Sequence, residues 1–99
     1  MSPLSATALV VAAREGQLST SLAGEVVILD VERGVYFGLD GVGAKVWELL
    51  QTPCSVIDIV DRLAPQYDVP RDTLQTDVHA LLEDLAGRGL VDVASAPGA

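Results

Sequence analysis

Apolar residues in this chain follow two regimes. Before about residue 40 they come in short extended runs, and beyond it they recur at helical spacing. The run Leu9-Val10-Val11-Ala12-Ala13 predicts a strand. Val26 to Val31 predicts a second, because β-branched side chains fit a pleated, half-buried surface. Glu32-Arg33-Gly34 supplies a turn whose glycine can take positive φ, and Val35 to Leu39 follows at once. Those last two runs therefore form a hairpin. If all three extended segments pair in sequence order, Val35 to Leu39 lies on an edge of the sheet.

Three helices follow. Asp40 is a good N-cap for the first, on which Val42, Val46, Trp47, Leu49 and Leu50 form a broad apolar face. Thr52-Pro53 stops it. Ser55 with Asp58 resembles a capping box, and Val56, Ile57, Val60, Leu63, Ala64 and Tyr67 recur through the second helix. Pro70 suits the first turn of a third, Asp72 complements its dipole, and Leu74, Val78, Leu81, Leu82 and Leu85 make its stripe. Gly87 or Gly89 ends it, and Leu90-Val91-Asp92-Val93 returns as a short extended piece. The fold class expected is α+β, winged helix-turn-helix-like, with a three-stranded antiparallel sheet followed by three helices.

Ninety-nine residues suit a single domain, 1–99, ordered from about residue 7 to 93 between tails at Met1 to Ser5 and Ser95 to Ala99 that read as frayed. Apolar residues are 49% and charged ones 20%, so the chain can build a core. With four aromatics, that core must be mostly Val, Leu, Ile and Ala. The net charge of −8 changes the picture more. Nucleic-acid binding depends on Lys and Arg against phosphate, and the six here are scattered singly. The same repulsion argues against anionic membranes, and no run approaches a membrane span. The first positive side chain, Arg14, comes after the apolar run, which is the wrong order for a signal peptide. A cytoplasmic location is expected, and one cysteine, Cys54, leaves the fold independent of internal disulfides.

Candidate chemistry is sparse. Gly38-Leu39-Asp40-Gly41-Val42-Gly43-Ala44-Lys45 invites nucleotide readings. A dinucleotide fingerprint needs glycine where Val46 stands, and a P-loop needs Lys where Ala44 stands. The glycines read better as a tight turn and a close-packed helix start. His79, the only histidine, excludes His-pair metal sites and falls off the apolar stripe, as a solvated residue would. Cys54 reads as a small, partly buried residue. The acids Asp58, Asp61, Asp77, Glu83 and Asp84 read as solvated faces, although Asp77 and Asp84 share one flank of the third-helix stripe and could line a groove. No catalytic residue, metal or cofactor is expected. Edge strands are usually blunted by Lys, Pro or an inward charge, and none occurs from Val35 to Leu39. Such an edge is either covered or a rail on which a peptide adds a strand.

The hairpin-to-helix junction, Gly34-Val35-Tyr36-Phe37-Gly38-Leu39-Asp40 and then Gly43-Ala44-Lys45-Val46-Trp47-Glu48-Leu49-Leu50, resembles the PqqD-like family of precursor-peptide recognition elements. So do Ile59-Val60-Asp61-Arg62-Leu63, Asp77 and Leu81-Leu82-Glu83-Asp84-Leu85 before Gly89-Leu90-Val91. The resemblance implies a non-catalytic protein that binds the leader segment of a ribosomally made precursor peptide. It implies a leader lying antiparallel along Val35, Tyr36, Phe37, Gly38 and Leu39. The leader would rest against Leu74, Asp77, Val78, Leu81 and Asp84 of the third helix, those residues being chosen by wheel geometry. The chain is most similar to stand-alone members of lasso-peptide biosynthesis. There the partners implied are a separate transglutaminase-like cysteine protease and a cyclase, with no nucleic acid and no membrane. The sibling reading is a PqqD-type chaperone that delivers its precursor to a radical-SAM enzyme in pyrroloquinoline quinone or related biosynthesis. A winged-helix DNA-binding regulator is the rival of another class. It fits poorly with a third helix offering Arg71 and Arg88 against Asp72, Asp77, Glu83 and Asp84.

Overall fold

The computed structural model describes residues 5–13 and 16–94, so the segments expected to fray lie, apart from Ser5, outside the described residues. In chain order the elements are β1 (Leu9–Ala12), β2 (Gln17–Leu22), β3 (Glu25–Asp30), β4 (Val35–Asp40), α1 (Gly41–Leu49), α2 (Val56–Leu63), a 3-10 turn (Ala64–Gln66), α3 (Arg71–Gly87) and β5 (Val91–Ala94).

The hairpin forms where the β-branched runs predict it. β3 and β4 pair antiparallel with Val26 opposite Leu39, Ile28 opposite Phe37 and Asp30 opposite Val35. Between them Gly34 takes φ 69° and donates its N–H to Asp30 O at 2.9 Å, while Asp30 Oδ1 accepts from the Arg33 N–H at 3.1 Å. That carboxylate is buried and holds the turn from inside.

The pairing of the first segment differs from the expectation. β1 does not join the hairpin but pairs antiparallel with β5, Val10 opposite Val93. It also exchanges backbone bonds with Cys54, Val10 N–H to Cys54 O at 2.7 Å and Cys54 N–H to Val10 O at 2.9 Å. The three-stranded sheet has the order β2-β3-β4 and is completed by β2, which the apolar pattern does not reveal. Its inward residues, those opposite the buried Val26, Ile28 and Asp30, are Ser21, Ser19 and Gln17. A strand whose inner row is polar carries no alternation signal. Val35 to Leu39 does lie on a sheet edge, as β4.

The helices start for local reasons. Ser55 and Asp58 form a complete capping box, with Asp58 N–H donating to Ser55 Oγ at 3.1 Å and Ser55 N–H to Asp58 Oδ2 at 3.2 Å. Asp40 occupies the N-cap of α1, but its side chain makes no capping bond. Pro70 sits at the N-cap of α3 rather than in its first turn, and the helix ends at Gly87 with Gly89 beyond it at φ 77°. The core joins Val10, Val26 and Ile28 from the strands to Val46, Trp47, Leu50, Ile59, Val60, Leu63, Leu74, Val78, Leu82 and Leu85 from the helices. On α2 it is Ile59, not Ile57, that is buried. No helix among the described residues is long and apolar enough to cross a membrane.

Candidate functional site

Opposed residues of antiparallel strands share a face. Phe37 and Leu39 therefore point with Ile28 and Val26 towards the helices, and Tyr36 and Gly38 point outward. Phe37 and Leu39 are only half-buried because nothing among the described residues pairs beyond β4, whereas Tyr36 is 73% exposed and Val35 and Gly38 are exposed as well.

α3 supplies the opposite wall. A Cβ built on Gly43 would lie 3.5 Å from Leu39 Cδ2 and 3.9 Å from Leu81 Cδ2, which places Leu39, Gly43 and Leu81 around one cleft. At the other end the Arg88 guanidinium carbon sits 4.5 Å from the centre of the Phe37 ring. Its Nε donates to both carboxylate oxygens of Asp84 at 3.2 Å. Moving along α3 from Leu81 to Arg88 thus follows β4 from Leu39 back to Phe37, and the two elements run antiparallel.

The expected site residues divide accordingly. Leu81 is half-buried and Asp77 and Asp84 are exposed, so these three stand on the surface of α3. Leu74 and Val78, at 2% and 1% exposure, lie beneath it and hold the helix to the core. The acidic flank is also less open than the wheel implies, since Asp84 is engaged by Arg88. Two further residues belong to this edge. Gly43 had a signal, the glycine-rich helix start, whose absent side chain leaves room between Leu39 and Leu81. Arg88 had none, because its partner Phe37 is distant in sequence.

Gly43 yields a direct test. Its backbone φ is not in the left-handed region, and an added methyl would make ordinary van der Waals contact. Gly43→Ala should raise stability by about 0.5–1 kcal/mol through helix propensity. In a thermal melt that is a gain of roughly 2–8 °C for a domain of this size. A fall instead would mean that the cleft tolerates no added methyl.

Elsewhere, Trp47 is core, Cys54 is buried with its thiol donating to Leu49 O at 3.2 Å, and His79 is half-buried, with Nδ1 3.1 Å from Glu83 Oε1. Asp58 caps α2 and Asp61 pairs with Arg71, so neither is simply a solvated acid. A cavity of about 460 Å³ opens between β2 and Trp47, lined by none of the expected site residues. Another, of about 260 Å³, is lined by Glu25, Val26, Val27, Gly38, Leu39 and Asp40 at one end of the β4 edge.

A family model described as Coenzyme PQQ synthesis protein D (PqqD) matches residues 25–91, the stretch from β3 to the start of β5 that contains the whole of this edge. The chain belongs to the PqqD family. One relative in that family, the PqqA binding protein of Bradyrhizobium diazoefficiens, is 40% identical over 65 residues, covering 66% of this chain and 61% of that protein. The PqqA binding protein of Rhodopseudomonas palustris (strain BisB5) is 38% identical over 73 residues, 72% of this chain and 70% of that one. The match therefore spans less than two thirds of the Bradyrhizobium relative. A solved structure, TbiB1 in complex with the TbiA(beta) leader peptide, superposes with a TM-score of 0.77 at 32% identity and covers 87% of this chain and 99% of that one. A lasso peptide synthetase B1 complexed with the leader peptide gives 0.72 at 24% identity, over 89% and 99%, and bears on the fold alone.

Proposed function

We propose that this PqqD-family protein is a non-catalytic binder of the leader segment of a ribosomally made precursor peptide. It presents that peptide to a separate maturation protease, of the transglutaminase-like cysteine class, in lasso-peptide biosynthesis in the cytoplasm, with a cyclase acting afterwards. The leader adds as a strand antiparallel to β4 along Val35, Tyr36, Phe37, Gly38 and Leu39, and its inward side chains meet Leu81, Asp77 and Asp84. Leu74 and Val78 contribute by fixing α3. The whole of 1–99 serves this single purpose as one winged-helix-like domain.

The observation that carries the reading is the edge itself. Among the described residues β4 has no strand beyond it, and its inward Phe37 and Leu39 remain half-covered beside a helix wall. Backbone hydrogen bonds along such an edge bind any extended peptide, and pockets for alternate side chains select one. Holding the leader in this way raises the local concentration of its attached core peptide at an enzyme. The leader peptide bound in the TbiB1 structure adds to the case.

A second reading has its own support in the 40% identity to a PqqA binding protein. In that case the same edge delivers a precursor to a radical-SAM enzyme of pyrroloquinoline quinone or related biosynthesis. Both readings share the binding step, which an NMR titration with the TbiA(beta) and PqqA peptides examines directly. Amide shifts should cluster on Val35 to Leu39 and the exposed side of α3, and the tighter peptide separates the two pathways. Shifts confined to other surfaces would rule the edge out.

A further inference from the structure

The β4–α3 groove is electrically polarised, and the polarity gives its occupant a sequence rule. Just past Leu39, Asp40 and the Glu25 opposite it project from the outward face of the sheet, with Gly38 and Tyr36. Asp77 belongs to the same end, because it lies one helical turn before Leu81 and so beyond the level of Leu39. None of these three carboxylates takes part in an ion pair among the described residues.

The other end is different. Its acids are already engaged: Asp30 by Arg33, at 3.8 Å and through the Arg33 N–H, and Asp84 by the Nε of Arg88. Glu32 turns towards Gly16. Arg33 spends a terminal nitrogen on the Arg88 carbonyl at 3.2 Å. Arg88 spends only Nε, and its two terminal nitrogens make no hydrogen bond among the described residues. The Phe37 ring on one side and the bond to Asp84 on another hold the guanidinium beside the groove, which leaves these donors for a carboxylate.

We propose that Arg88 is a specificity-determining residue that selects an acidic side chain in the bound peptide, two positions after its apolar anchor. The inference rests on the leader-binding reading given above. A peptide antiparallel to β4 has its N-terminal side at Asp40 and its C-terminal side at Val35. Its anchor enters the cleft of Leu39, Gly43 and Leu81. The next inward side chain, two residues on, arrives beside Phe37 and meets Arg88. An apolar residue there would strip water from unpaired donors, and a basic one would face a like charge. Glu or Asp pairs with it. At the opposite end, Asp77 favours Lys or Arg ahead of the anchor. Asp84 is a positioning residue for Arg88 and contacts the peptide less than its place in the sequence suggests.

The test pans a displayed library of random short peptides on the full chain, on Arg88→Glu and on Arg88→Ala. All three should fold, since Arg88 is exposed at the helix end, and circular dichroism checks this. Wild type should enrich an apolar residue followed at the second position by Asp or Glu. Arg88→Glu should enrich Lys or Arg there, and Arg88→Ala should show no preference. Synthetic peptides from the consensus, with Glu exchanged for Lys at that position, should lose roughly five- to tenfold in affinity for wild type and gain on Arg88→Glu. If Arg88→Glu does not fold, Arg88→Ala and the peptide exchange on wild type decide. Enriched peptides with no acidic bias on wild type overturn the role of Arg88 and leave the leader-binding reading standing. No enrichment on any variant overturns both.

Discussion

Lysine in place of Phe37 is expected to weaken leader binding by tenfold or more while the domain stays folded. On the proposed pose a ligand side chain covers the open part of the Phe37 ring. Roughly 80 Å² of apolar contact at about 25 cal/mol/Å² is ~2 kcal/mol. Lysine keeps some of this through its methylene stem. It also brings an ammonium to the place where Arg88 now stacks, replacing a cation–π contact by repulsion. A net loss of about 1.4 kcal/mol or more corresponds to the tenfold change. The fold should survive because Phe37 is only half-buried, and its neighbour across the ladder, Ile28, is the residue that fills the core. Fluorescence polarisation with a labelled leader measures the first effect and thermal circular dichroism the second. Unchanged affinity would place the peptide on another surface.

The largest effect on stability is expected from Leu82→Ala. Leu82 has 0% exposure and stands mid-way along α3, between the buried Val78 and Leu85. Truncating a leucine there leaves a cavity and removes transfer free energy, a loss of about 2–5 kcal/mol. Small domains hold only about 5–15 kcal/mol in total, so a large part of the folded population's margin disappears. Urea denaturation should show a lower midpoint with a similar slope. Leu81→Ala, one residue away but half-buried on the groove side, should cost less stability and more affinity. The contrast between adjacent leucines separates the wall of the groove from the support beneath it.

How much of this was legible in the sequence follows from where its signals are strong. The hairpin was, because β-branched runs flank a glycine that must turn. The capping box was, because Ser55 and Asp58 satisfy each other locally. β2 was not: both its faces escape the core, so Leu18 and Leu22 point outward where an apolar pattern would place them inward. The partnership of β1 with β5 was not legible either. Both runs are extended by pattern, but strand pairing between chain segments this far apart leaves no local mark. At the edge, spacing alone placed Leu74 and Val78 beside Leu81 as equals, and the packing then set them in different layers. Arg88 escaped because a wheel drawn on α3 cannot show a ring contributed by β4.

The separate pairing of β1 with β5 also has a mechanical consequence. The described strands form two hydrogen-bond ladders, one of two strands and one of three, with no strand shared between them. A segment docking on β4 lengthens only the larger ladder. The smaller one is tied through Val10 to Cys54, ahead of α2, and shares no hydrogen bond with the edge that would be filled. On the proposed pose the molecule would work like a vice with a fixed jaw, its load gripped on the open side alone.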